Sequence, residues 1–353
     1  MRTEWTAVKR RVAIVGTELA PLEASSGALE RAALGWAADL RRSGLDVVLV
    51  DAGPTGPPDA AMGAARANIV LLNNRPLWAE GLGLPVVHVL HNYPDAWGTE
   101  ARDRARVADV LGRGAVAAVS PALARDVGET YAPRAGVGVV RGEVEECFFR
   151  EEWRGGGPVL FPNRLLEKKG VRFFLELSRA LAADGLGCAL FRHLAPWKSP
   201  TPEHASLLEA VGSCPSVEMF EPPATRAEMA AWYARAAVVL CPSVVPEGLG
   251  MVALEAQAVG APLVTSGRGG LADATLPPNE VVHDLDVEQW RGAVHRAVAG
   301  DAPPPSAAAA AVALLHGPGA ATESLLTLFA LGSLDGSEAA TPSGPEGPRP
   351  GGS

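Results

Sequence analysis

Short apolar runs, rich in β-branched residues, recur along the chain between longer segments whose apolar positions fall at helical spacing. In the first half they are RVAIVG (11–16), DVVLVD (46–51), NIVLL (68–72), PVVHVL (85–90), AVAAV (115–119) and VGVVR (137–141). In the second half they are GPVLF (157–161), GLGCALF (185–191), SVEMF (216–220), AAVVLC (236–241), APLVT (261–265) and NEVVH (279–283). Most are too uniformly apolar to have one wetted face, as expected of strands covered by helices on both sides. Helices are expected from about Ser25 to Arg42 and over Gly170–Ala183, Pro202–Val211, Thr225–Ala236 and Leu249–Gly260. This alternation predicts an α/β chain with parallel sheets.

The alternation pauses once, where Glu143, Glu145, Glu146, Glu151 and Glu152 precede a triple glycine. Residues 1–142 are therefore expected to form one domain, 143–157 a linker and 158–305 a second domain. Two further helical pieces over 306–332, split by Gly317-Pro318-Gly319, should close the fold. The stretch 333–353 has no periodic apolar face and is expected to be disordered. A length of 353 residues suits two doubly wound domains. In such sheets ligands bind beyond the carboxyl ends of the strands, so the site is expected in a central cleft between the two units.

The stretch Pro242 to Val264 carries the strongest chemical signal. With a helix starting near Leu249, Glu255 falls at the centre of the stripe made by Met251, Val252, Leu254, Ala258 and Val259, and Gln257 takes the outer face. A carboxylate there is costly unless hydroxyls or amides bond it, and a ribose diol meets that need. Eight positions earlier, Glu247 opens the turn Glu247-Gly248-Leu249-Gly250 between a strand and the helix. Such a layout points free amides and the positive end of the helix dipole at phosphate and hydroxyl oxygens. Taken alone, the pair fits a plain glycine turn beside a surface glutamate equally well.

Other strand ends add cations and hydroxyl partners. GPVLF leads into a loop with Arg164 and Lys169, a planar fork and a mobile point charge suited to a diphosphate, although a solvated loop reads the same way. In the first half, Gly27 lies at a helix start, where backbone amides face a phosphate, and His91-Asn92 follows PVVHVL. His88, inside that strand, reads as core.

Composition narrows the partners. With 31 basic and 40 acidic residues the net charge is -9, against a general affinity for nucleic acid or anionic lipid. Cys147, Cys188, Cys214 and Cys241 form no C-x-x-C and read as buried thiols. The apolar run near the N-terminus is too short for a signal-peptide core, and Ala307–Leu315 is far below the roughly twenty residues that span a bilayer. A cytoplasmic protein without stable membrane insertion is expected.

The block PSVVPEGLGMVALEAQAVGAPLVTSGRGG, the Arg164 to Gly170 loop, SSGALERAALGWAADLRRSG, HNYP and AVSPALARDV together resemble family 4 retaining glycosyltransferases, over about residues 11 to 331. The resemblance implies the GT-B fold, two Rossmann-like doubly wound domains facing a cleft. It implies that Glu255 binds the ribose of a nucleoside diphosphate sugar, Glu247 the donor sugar's hydroxyls, and Arg164 and Lys169 the diphosphate. Backbone at Gly248, Leu249, Gly250, Met251 and Val252 would contact sugar and phosphate, His91 would face the sugar and Gly27 would lie beside the diphosphate. No metal and no other cofactor are implied.

The chain departs from the family at Val140-Arg141-Gly142-Glu143-Val144, at Phe191-Arg192-His193-Leu194 and at Asp273, where a Glu is common. Glu18, Glu23, Asn92 and Asp95 sit on the acceptor side of the first domain, and three of the four are acids. They suit a small cationic acceptor such as an aminocyclitol or amino sugar. The Ala, Gly and Pro richness fits a high-GC actinobacterial genome, where glycosylation in antibiotic biosynthesis is common. The expected reaction is transfer of a hexosyl or N-acetylhexosaminyl group, with a UDP-sugar favoured. The alternatives are a catalytically silent sugar-nucleotide-binding subunit or a GT-B epimerase. Asp284-Leu285-Asp286 reads as a helix cap rather than a metal-binding pair, and Gly16-Thr17-Glu18-Leu19 lacks the dinucleotide fingerprint.

Overall fold

A computed structural model describes residues 11–16, 27–52, 66–193, 201–299 and 306–335. The expected strands all form. They make two parallel six-stranded sheets. The first contains β1 (Arg11–Gly16), β2 (Asp46–Asp51), β3 (Ile69–Asn73), β4 (Val86–Leu90), β5 (Ala115–Ala118) and β6 (Gly138–Val139), in the order β2-β1-β3-β4-β5-β6. The second contains β7 (Val159–Phe161), β8 (Cys188–Phe191), β9 (Val217–Phe220), β10 (Val238–Cys241), β11 (Leu263–Thr265) and β12 (Glu280–Val281), in the order β12-β11-β10-β7-β8-β9. Every residue of β3, β4, β5, β7, β8, β10 and β11 is buried, as two-sided helical cover requires. Strand order reverses between β1 and β3 in one sheet and between β7 and β10 in the other, and such switch points open a crevice for ligands.

The helices follow the same logic. In the first domain α1 (Ala28–Arg42) turns Ala33, Trp36, Ala37 and Leu40 inward; α2 (Ala101–Leu111) and α3 (Pro121–Tyr131) cover the far strands. Next come α4 (Glu146–Phe149), α5 (Val171–Ala183), α6 (Pro202–Gly212), α7 (Arg226–Arg235), α8 (Met251–Val259), α9 (Gly270–Ala274) and α10 (Val287–Ala299). Asp286 caps α10, its Oδ1 accepting from Gln289 N at 2.9 Å. Helix α11 (Ser306–His316) packs on α8. Helix α12 (Thr322–Asp335) returns to the first sheet and buries Leu325 and Phe329 there, so the chain's last described helix braces its first domain.

Several expectations need correction. Helix α8 starts at Met251, because Gly250 takes a left-handed φ of 98° and ends the turn before it. Gln257 is fully buried instead of facing outward, since α8 is covered by α9 and α11 as well as by its sheet. Its amide donates to Ala253 O and Ala274 O at 2.8 and 2.7 Å, and Oε1 accepts from Leu276 N and Asn279 Nδ2. Cys147 is half-buried, unlike the other three thiols. Glu18, Glu23 and the tail 336–353 lie outside the described residues. Among the described residues, no helix is long and apolar enough to cross a membrane.

Candidate functional site

The carboxyl ends of the two sheets meet. A Cβ added to Gly248 would stand 2.0 Å from the His91 carbonyl oxygen, and one on Gly270 would stand 2.6 Å from Ser120 Oγ. Asp273, at the position where the family usually has Glu, accepts from Ala122 N at 2.7 Å and so caps α3 across the domain boundary. The loops after β4 and β5 are thereby seated on the glycine loops of the second domain.

Two loops flank the β7–β10 switch point. The first carries Arg164 and a 3-10 turn at Glu167–Lys169, stopped by Gly170 at φ 80°. A Cβ on Gly170 would stand 2.0 Å from the Pro242 carbonyl, so glycine is what lets the two loops approach. The second loop carries Glu247. Lys169 Nζ lies 2.7 Å from Glu247 Oε2, and Ser243 Oγ donates to Glu247 Oε1. The predicted cation and acid are thus one mostly buried ion pair. The amides of Gly248, Leu249, Gly250, Met251 and Val252 make no hydrogen bond among the described residues, which leaves the N-terminus of α8 rich in donors.

Glu255 is 4% exposed, as the helix phase indicates. Its partners are protein groups that sequence reasoning missed: Arg226 Nη2 donates to Oε1, and Tyr233 OH donates to Oε2 at 3.3 Å. Burial and the neighbouring carboxylate push the Tyr233 phenol well up, so it stays a proton donor. Arg226 also donates through Nε to Glu145 Oε1 at 3.2 Å, and Arg31 Nε approaches that same oxygen at 3.6 Å. Four charged residues from α1, the linker, α7 and α8 therefore form one chain.

On the first-domain wall, Gly27 precedes α1. A Cβ there would stand 2.4 Å from Glu30 Oε2 and 3.4 Å from Arg164 Nη2, so Arg164 reaches from the second domain to the start of α1. Glu30 Oε2 is buried without a hydrogen-bond partner in the described structure. Burial lowers the Arg164 pKa, against the pull of Glu30. The His91 ring sits 5.7 Å from that of Trp36; its Nε2 is buried without a partner, and burial pulls the imidazole down to about 3. His91 is therefore neutral at physiological pH. Asn74, a left-handed residue just after β3, fixes this loop by accepting from His91 N at 2.9 Å and Asn92 N at 3.2 Å. The pair Asn73-Asn74 at a strand end was its available sequence signal.

Of the four acceptor-side residues, Asn92 and Asp95 are among the described ones. Asp95 is exposed and pairs with Arg104 at 3.1 Å, so its charge is already answered from α2. Asn92 is exposed.

Residues 157–300 match the family described as Glycosyl transferases group 1. The match spans the second domain. A stretch of 97 residues is 37% identical to a D-inositol 3-phosphate glycosyltransferase of Nocardioides sp., covering 27% of this chain and 21% of that relative, so the match spans about a fifth of the relative's length. Among solved structures, sucrose-phosphate synthase from Thermosynechococcus elongatus superposes with a TM-score of 0.75 at 16% identity, over 91% of this chain and 98% of that one. The Anabaena protein HepE, in complex with UDP and glucose, gives 0.68 at 14% identity, over 91% and 99%. These two likenesses establish the GT-B fold. Both Glu247 and Glu255 fall within the matched residues, on the loop and the helix that follow β10.

Proposed function

We propose that the chain is a retaining glycosyltransferase. It moves a hexosyl or N-acetylhexosaminyl group from a nucleoside diphosphate sugar, with UDP-sugar favoured, to a hydroxyl of a small soluble acceptor. The observation that carries this reading is the Lys169–Glu247 pair at the switch point, beside the buried Glu255 and the unbonded amides of residues 248–252. Arg164 and Lys169 hold the diphosphate with the start of α1 at Gly27. Glu255 takes the ribose hydroxyls, Glu247 takes hydroxyls of the sugar, and neutral His91 offers a hydrogen bond to the sugar from the opposite wall.

In this reading the acceptor oxygen attacks the anomeric carbon as the bond to the diphosphate breaks. The diphosphate leaves with the electron pair and takes the acceptor's proton. Negative charge grows on the leaving group, so preorganised cations are the main catalytic contribution. The cations at 164 and 169 do the work for which other transferases use a metal, and none is required.

The similarity to an enzyme named for inositol 3-phosphate supports a cyclitol-type acceptor. We infer an aminocyclitol or amino sugar of cytoplasmic secondary metabolism, of the kind found in aminoglycoside-like antibiotics. The test is to incubate the purified chain with UDP- and GDP-sugars and with neutral, phosphorylated and amino-substituted cyclitols, reading acceptor-dependent nucleotide release. Nucleotide binding with no turnover on any acceptor overturns the enzymatic reading. Turnover confined to phosphorylated cyclitols overturns the cationic acceptor alone.

A further inference from the structure

Arg226 opens α7, whose start does not depend on its side chain: Thr225 Oγ1 caps the helix by accepting from Glu228 N at 3.1 Å. The guanidinium turns away from its helix and toward Glu255. Its Nη2 donates to Glu255 Oε1, its Nε to Glu145 Oε1, and its carbon lies 4.7 Å from the centre of the Phe148 ring. Glu145 behind it is also approached by Arg31. Besides Glu255, the arginine is thus clamped by a second acid and an aromatic ring.

This clamp governs one torsion. The terminal torsion of a glutamate is broad and roughly two-fold, so a carboxylate without fixed partners has no preferred plane. Arg226 and Tyr233 each hold one oxygen of Glu255, which sets that plane. Each carboxylate oxygen has two acceptor positions, so one remains on each for a ligand. A 1,2-diol presents two hydroxyl hydrogens side by side and matches the pair. Arg226 also supplies the counter-charge that a buried carboxylate needs.

We propose that Arg226 is a positioning residue that orients Glu255 as a two-pronged acceptor for the ribose diol of the nucleotide, and so sets the preference for ribose over deoxyribose. The inference rests on the donor-site reading above. It separates two parts of donor binding. The diphosphate is held by Arg164 and Lys169 on another loop, so Arg226 governs the diol and leaves the phosphate clamp intact.

The experiment is calorimetric titration of the full chain with UDP, 2′-deoxy-UDP, GDP, 2′-deoxy-GDP and inorganic pyrophosphate. It compares the unaltered protein with Arg226→Gln, Arg226→Lys and Glu145→Gln. Hydrogen bonds to a charged acceptor lead us to expect a ribose preference of about tenfold or more in the unaltered chain. Arg226→Gln should bring the ratio to about threefold or less, with pyrophosphate affinity unchanged. Arg226→Lys, which restores the charge without the fork, should fall between, and Glu145→Gln should reduce the ratio less. Equal weakening of ribo- and deoxyribonucleotides in Arg226→Gln, or a ratio it leaves intact, overturns the inference while the donor site stands. An unaltered protein that binds none of the nucleotides overturns the donor-site reading itself, and the inference with it.

Discussion

Lys169 Nζ and Glu247 Oε2 lie 2.7 Å apart, joining the loops that follow β7 and β10 across the switch point of the second sheet. Both side chains are largely shielded from water, and a buried pair of this kind is weak as a device for stability because desolvation offsets much of the attraction. In the reading proposed above, its value is in placing a cation where leaving-group charge develops. Lys169→Met should therefore lower kcat with a UDP-sugar by about 100- to 1,000-fold, the usual cost of removing one preorganised donor, with a smaller change in KM. A KM effect alone, at unchanged kcat, would show that Lys169 only binds.

The same logic bears on metals. If Arg164 and Lys169 supply the positive charge, stripping divalent ions leaves the rate intact. Activity measured in excess EDTA should stay within about twofold of the untreated rate, a difference of less than 0.5 kcal/mol in the barrier. A loss that added magnesium or manganese restores would refute the metal-free reading.

Gly248 meets the first domain with no space for a side chain, its added Cβ falling 2.0 Å from the His91 carbonyl oxygen. The obstacle is backbone, so relief requires the two domains to separate locally. Gly248→Ala should reduce turnover by at least about tenfold, since small misplacements at a reacting centre are costly. One apolar cluster runs through both domains, and a separate cluster inside each backs it, so the melting temperature should change by only a few degrees. A large fall in melting temperature with normal turnover in the folded fraction would instead make Gly248 a stability residue.

How much of this was legible in the sequence depended on whether the deciding contact was local. The strands were readable because uniform apolar runs need no partner to be recognised, and Glu255 was readable as buried because its helix phase is local. Gln257 was misread for the opposite reason: its cover comes from Ala274 and Asn279, beyond the next strand, and from α11. Arg226 was invisible because its partners lie 81 residues before it and 29 after it, a pairing that only the assembled domains create. Asp95 shows the converse limit, an exposed acid that pairs with Arg104 from the next helix, a contact its sequence neighbours do not announce.

His88 provides a test of the core through pH. It is fully buried in β4, as its place inside an apolar strand indicates, and burial, opposed by a weaker interaction with the Val110 backbone, pulls its imidazole down to about 4. The unfolded chain takes up this proton near pH 6.5, whereas the folded protein resists it until about pH 4. Between those values the unfolded state holds more protons, so stability rises with pH in that window. It is fully present above pH 6.5 and declines as pH falls toward 4, by about 2 kcal/mol at pH 5 for this one group. His91 and His193, pulled down to about 3 and about 4, act in the same direction. His88→Leu should narrow the loss of stability between pH 7.5 and pH 5, measured by urea unfolding at both values, while His91 and His193 keep some of it. An equal loss in His88→Leu and the unaltered protein would mean that His88 is protonated without cost to the fold.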